Sequence, residues 1–229
     1  MNSILKAATI AKLAGNDDDL ALINQQSLRE LTLEEIFVFR LAACDNQIDR
    51  DFERFTDSAL YGLAPLFVGK SVLMDHVWLA GSQTARVYNA YVEESGEIKR
   101  LILCCYMPRV GGNENIINAI ETGILRECSV GCCMEHVLCS ICGADQVKTC
   151  CAHIPGREYD GALCFMELDG AKDAYEVSMV AVPSQVEAGV LKSKRYGGKD
   201  QPPAPDPREA NKPTVMQLLG NIFNEEERK

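Results

Sequence analysis

Ser129 stands in a short alternating stretch, Cys128-Ser129-Val130-Gly131, that follows a helix-like segment. Over 114–123 and just beyond, Ile116, Ile117, Ile120 and Ile124 recur at helical spacing on one face, and Gly123 supplies the stop. A serine on a strand, next to a glycine that lets another backbone approach, can be a nucleophile when a base and an orienting group activate it. It can equally be ordinary sheet filler. His76 is the base to weigh beside it: one of three histidines, it sits where the short strand pattern Ser71 to Asp75 ends. That position also suits a structural or surface histidine.

A second constellation lies in 135–161. Cys139-Ser-Ile-Cys142-Gly143 is a two-cysteine turn of zinc-ribbon type, and Cys151-Ala-His153 follows it. Two thiolates with the short Cys-x-x-Cys bite, plus a Cys and a His, close a tetrahedral shell around Zn²⁺. Gly143 suits the turn that aims both sulfurs inward. The spacing leaves Cys150 open in place of Cys151, and His136, Cys132 or Cys133 as substitutes. Four protein ligands leave no open coordination site, so the expected zinc is structural, and catalysis needs no cofactor. It is expected to pin a loop next to Ser129. The chain's eleven cysteines are odd in number and partly adjacent (Cys104-Cys105, Cys132-Cys133, Cys150-Cys151). They read as reduced thiols of a cytosolic compartment, some ligating metal, rather than as a disulfide framework.

The elements that must position these residues follow from the apolar pattern. Residues 1–34 are polar and helix-prone, a helical or flexible arm. Ile36 to Asp45 is β-branched and aromatic, a first strand. The segment 49–63 reads as a helix with Phe52, Phe55, Leu60 and Leu63 on its apolar side. Strands over 84–94 and 97–107 follow, joined at Ser95-Gly96. After the insertion come two strands, 162–168 and 174–183, with a turn at Asp169-Gly170. A Pro-rich linker covers 191–213 and an amphipathic helix 214–229. The expectation is a mostly β domain over 35–190.

Composition sets outer bounds. The 229 residues suffice for one full domain with tails. A net charge of −10 argues against nucleic-acid binding, which needs clustered Lys and Arg. No apolar run is long enough to span a membrane, and Lys6 and Lys12 break the N-terminal run that a signal peptide would need.

The order of three motifs carries a resemblance: His76 at a strand end, Ser129 in Cys-Ser-Val-Gly, and Tyr175-Glu-Val-Ser-Met-Val-Ala-Val-Pro183. Together they resemble the tailed-phage prohead maturation proteases, relatives of the herpesvirus assemblins. The likeness covers about Glu35 to Val190, and the lead RDFERF…LFVGKSVLMDH looks like the family's approach to its histidine. The resemblance implies an α+β, mostly β fold built on an assemblin-like closed β-barrel with flanking helices, here with a zinc-knuckle insertion. It implies Ser129 as nucleophile, His76 as general base and Glu176 as third triad member, where the herpesvirus enzymes have a His. Asp173 and Asp75 are the fallback orienting groups. The herpesvirus enzymes carry an arginine pair serving the oxyanion site; this chain has Ser184-Gln185 there, leaving those donors to backbone amides or to groups the sequence does not identify.

The implied activity is a serine endopeptidase that processes scaffold and major capsid proteins, and often itself, inside the immature capsid in the host cytoplasm. It leaves room for a homo-oligomer. Two other expectations stand beside it: an inactive capsid-assembly or scaffold protein of the same fold, and a zinc-stabilised binding module.

Overall fold

The computed structural model describes residues 15–185 and 188–190. The linker and helix expected over 191–229 lie outside those residues, as does the arm's first part, 1–14.

The first helix, α1 (Asp17–Asn24), is held by a capping box in which Asn16 Oδ1 accepts from Asp19 N at 2.8 Å and Asp19 Oδ2 accepts from Asn16 N at 3.3 Å. Its fully buried Ile23 packs with Ile36, Val38 and Tyr88, so this part of the expected arm is docked on the sheet. Next comes β1 (Ile36–Asp45), filling the expected first strand. The segment expected as one helix over 49–63 divides. A short strand, β2 (Glu53–Phe55), precedes α2 (Asp57–Phe67), which starts only after Thr56, whose hydroxyl accepts from Ala59 N. Phe52, at φ 58°, belongs to no helix.

After α2 come β3 (Ser71–Met74), β4 (Ala85–Ser95) and β5 (Ile98–Pro108), much as expected. A third helix, α3 (Asn113–Glu121), buries Ile117 and Ile120 and stops near Gly123 at φ 78°. Ile124 lies beyond that stop and is exposed, so it does not join the buried face. The Ser129 strand, β6 (Cys128–Cys139), runs well into the segment expected as an insertion from 135. The end of the insertion pairs with the start of the strand expected over 162–168 in a small hairpin of β7 (Glu158–Tyr159) and β8 (Ala162–Leu163), which is separate from the next strand. Then β9 (Met166–Met179) is a single long strand, not two strands around a turn at Asp169-Gly170. Gly170, at φ 69°, and two register shifts against β6 bend it without ending it. Last comes β10 (Gly189–Val190).

The sheet runs β10-β1-β5-β4-β3-β9-β2, with β6 paired to β9 as well. One edge of β9 carries β2 and then β3, both parallel to it; β6 runs antiparallel along the other. The fold is therefore mostly β with a few helices, but the expected closed barrel is not found among the described residues. The two ends meet only at one isolated bridge, Glu127↔Gly189. Among the described residues β10 has two residues, short of the continuous ladder that closure needs.

Phe39, Leu41, Leu103, Val177 and Met179 on one face of the sheet pack against Leu60, Leu63 and Phe67 of α2 and Ile117 and Ile120 of α3. Each such side chain is worth about 1.5–3 kcal/mol when buried, so this layer fixes which way β9 faces. Strand alternation then turns Glu176 and Ser178 to the opposite face.

Candidate active site and metal centre

The register of β6 on β9 sets Ser129 opposite Ser178 and Gly131 opposite Glu176. Directly opposed residues of an antiparallel pair share a face. Ser129 therefore stands on the face of Glu176. The glycine two residues on has a steric cause, because a Cβ at Gly131 would lie 2.6 Å from Glu176 Oε1.

His76 reaches this face from the end of β3. Val77 N donates to Met74 O at 3.0 Å, closing a turn whose central residues, Asp75 and His76, have φ of 53° and 55°. Left-handed non-glycine residues cost of order 1–3 kcal/mol each and persist only when their surroundings hold them. Here they are held. Asp75 N donates to Met179 O at 3.0 Å, His76 N to Ser178 Oγ at 3.1 Å, and His76 Nδ1 lies 2.8 Å from Glu176 Oε1. Ser178 Oγ in turn donates to Glu176 Oε2 at 2.6 Å. Both oxygens of a carboxylate that is 4% exposed are thus satisfied.

With Nδ1 held, His76 Nε2 has no hydrogen bond among the described residues, on a ring that is 42% exposed. The Ser129 hydroxyl also has no side-chain hydrogen bond among them, to His76 or otherwise. The structure brings His76 and Glu176 into contact and sets Ser129 on their face, but does not join Ser129 to His76. Of the fallback groups, Asp173 lies 3.5 Å from Lys70 Nζ, and Asp75 contributes only its backbone amide. Ser178 is the site residue that the sequence reading passes over. Its signal was the Glu-x-Ser spacing, which on a strand puts both side chains on one face. Gln185 lines the groove beside Ser129, but its amide is taken up by the backbone of Asp45, accepting from its N–H at 2.6 Å and donating to its C=O at 3.2 Å.

Two openings flank these residues. A groove of about 430 Å³ follows the edge of β6 away from β9, from Cys128 to Met134, with Cys44, Glu53 and Phe55 on its far wall. Glu127 O accepts from Val180 on the β9 side, whereas Cys128 N and Arg126 O bond Ala188 and Val190 on the other side. By the two-residue alternation of a strand, the Val130 N–H and C=O face the groove. Burial, and then the charge of Asp49, raise the Glu53 carboxyl above its ordinary range. The second opening, of about 330 Å³, lies across β9 beside Trp78 and Tyr175.

The metal-ligand group assembles. The ligand atoms of Cys139, Cys142, Cys151 and His153 lie within 4.8 Å of one another and can hold a metal ion. The Cys139 knuckle is closed by Gly143 N donating to Cys139 O at 2.8 Å, with Gly143 at φ 71°. Burial opposes the Cys139 thiolate, but the amides of Cys142 and Ile141 together with the Cys151 and Cys142 thiols outweigh it and bring that thiol down to about 7. His153 Nδ1 is buried without a hydrogen-bond partner, a state that costs about 1–3 kcal/mol unless something satisfies it. A ligated ion is such a partner, so the residues fit.

The substitutes fall away. Cys150, Cys132 and Cys133 lie outside the group, Cys150 exposed and the Cys132 thiol raised by burial to about 12, and His136 bonds Asp145 at 2.8 Å. The knuckle does not pin a loop next to Ser129. Cys139 and Ser129 sit toward opposite ends of β6, roughly 33 Å apart at about 3.3 Å per residue. All eleven cysteines are free thiols.

No helix among the described residues is long and apolar enough to cross a membrane. Comparison with family models, curated proteins and solved structures finds no match to the chain.

Proposed function

We propose that this chain is a serine endopeptidase of the prohead-maturation kind, cleaving scaffold and major capsid proteins, and itself, inside the immature capsid of a tailed bacteriophage. The observation that carries the reading is the 2.8 Å contact between His76 Nδ1 and Glu176 Oε1, on the face that bears Ser129. In this mechanism Ser129 Oγ attacks the scissile carbonyl while His76 Nε2 takes its proton. Glu176 holds the ring through Nδ1 and balances the imidazolium that forms. His76 then protonates the leaving amine, and a water deprotonated by the same ring hydrolyses the acyl-serine. The Ser129–His76 hydrogen bond is not made in the free chain; such contacts tighten when substrate closes the site. The groove along the β6 edge suits an extended peptide, which can add as a strand to the outward groups of Val130. Backbone amides serve as oxyanion donors.

The Cys139, Cys142, Cys151 and His153 group is a structural Zn²⁺ site in this reading, since four protein ligands leave no open position. It closes the ends of β6 and β9 far from the chemistry, and hydrolysis does not require it. A second reading, an inactive assembly protein of the same fold, is favoured by the absent Ser129–His76 hydrogen bond.

The test is co-expression with the neighbouring capsid and scaffold proteins, comparing wild type, Ser129→Ala and His76→Ala by intact mass. Trimmed products with wild type alone are expected. Equal trimming in all three removes the catalytic assignment, and no trimming in any leaves the inactive assembly protein ahead.

A further inference from the structure

The cleft is lined by β3 and the segment that follows it, with Tyr175 and Glu176 contributed by β9. Leu73 forms its floor, Trp78, Leu79 and Tyr175 its walls, Gln83 its outer end, and Glu176 lines it too. The Trp78 and Tyr175 rings meet at 5.7 Å, tilted by 57°, and brace each other. Yet Trp78 and Leu79 are each 65% exposed. Water-facing aromatic and aliphatic walls beside a buried carboxylate mark a binding surface more than a folding core. The walls also follow directly on the His76 turn, so whatever enters the cleft lies beside that ring.

Resting on the protease reading above, we propose that this cleft takes a large apolar side chain of the substrate, on the leaving-group side of the scissile bond. The side follows from seating the acyl half of the peptide in the groove along β6; the chain then crosses Ser129 and His76 toward β3. Ser129 on β6 and Leu73 on β3 flank β9, a separation of two strand spacings or about 10 Å. An extended peptide covers that in about three residues, so the cleft meets a side chain within three positions after the cut. Leu73, Trp78, Leu79 and Tyr175 select leucine, methionine or phenylalanine over polar residues. The Glu176 carboxylate in the wall rejects acidic ones.

Trp78 is the sole tryptophan, so its emission reports on the cleft whether or not cleavage occurs. The probes are capped alanine octapeptides carrying one central leucine, asparagine or aspartate, titrated into full-length Ser129→Ala. A saturable blue shift with the leucine peptide is expected, with affinity about tenfold or more above asparagine and no saturation with aspartate. Leu79→Ser leaves the reporter in place and removes an exposed wall, so it is expected to erase the preference without unfolding the chain. Separately, cleavage of a mixed peptide library by wild type is read by mass spectrometry for apolar enrichment within three positions after the cut. No shift with the leucine peptide, or equal shifts with all three, overturns the subsite even if wild type cleaves the library. A leucine-selective shift with no cleavage of any peptide supports apolar side-chain binding in the cleft, but overturns the protease reading and with it the leaving-group assignment.

Discussion

Replacing Gly131 by alanine separates two opposed effects that the structure lets one weigh. Gly131 is not among the glycines at positive φ, so an alanine there meets no backbone strain. Chain entropy alone then favours it by about 0.4–1 kcal/mol. Against this, the new Cβ would sit 2.6 Å from Glu176 Oε1 and 3.4 Å from Cδ. The carboxylate cannot swing aside freely, because His76 holds Oε1 at 2.8 Å and Ser178 holds Oε2 at 2.6 Å. Overpacking of this kind costs about 1–3 kcal/mol, so a net loss of about 1–2 kcal/mol is expected. Urea unfolding of the full chain reads it as a lower midpoint with an unchanged slope. Activity should fall further, by about 10²-fold, since a displacement of about 1 Å at a positioned group has that effect. A double-mutant cycle isolates the cause: in a Glu176→Ala background, Gly131→Ala should become neutral or stabilising. If Gly131→Ala is as destabilising without Glu176 as with it, the steric argument is wrong. If it stabilises the wild type, the carboxylate is not where this geometry puts it.

Ser178→Ala deprives the Glu176 Oε2 atom and the His76 amide of their partner at once, and is expected to cost about 1–3 kcal/mol. With a peptide substrate it should lower kcat while leaving KM nearly unchanged; an unaltered kcat would show that the His76 turn holds itself. Protein produced in zinc-containing medium should carry one Zn²⁺ per chain by elemental analysis, and Cys139→Ser or chelation should remove it and lower the melting temperature. Zinc-free wild-type protein would count against the Cys139, Cys142, Cys151 and His153 site. Glu53→Gln tests the groove. The folded chain raises the Glu53 carboxyl, so it binds that proton more tightly than the unfolded chain does. Stability is therefore full below the unfolded value, about 4.3, and is lost as pH rises through the raised folded value. Glu53→Gln should melt higher than wild type at pH 7, with the gap closing toward about pH 4; a gap that is constant with pH would refute the burial argument.

Local composition was enough for several strands. Ile36 to Asp45 is readable from its β-branched and aromatic run, and the next pair from the turn signal at Ser95-Gly96, although β1 and β5 are buried at most positions rather than alternating between core and solvent. The cluster that could hold a metal was largely legible from spacing, since a knuckle and a nearby Cys-x-His are local features, but spacing left Cys150 and Cys151 as alternatives and only the fold brought Cys151 to the other three. What sequence patterning could not reach was anything set by partners distant in the chain. β9 reads as two strands because Asp169-Gly170 looks like a turn; the long pairing with β6 keeps it straight enough to be one. The strand β2 is hidden in a helical pattern because its pairing with β9 outweighs local preference. Nor can sequence decide closure of the sheet: among the described residues β10 pairs with β1 through two residues and no closed barrel is found.

The same division runs through the site. Sequence determined the residue types at Ser129, His76 and Glu176, and their order in the chain supplied the family resemblance. Tertiary structure alone decided that Glu176 rather than Asp173 or Asp75 meets His76, that Gly131 is the space its carboxylate fills, and that Ser178 ties the two together. The physical reason is register. A strand's side-chain period fixes which residues share a face, but only the pairing of β3 and β6 on either side of β9 fixes which residues stand opposite one another.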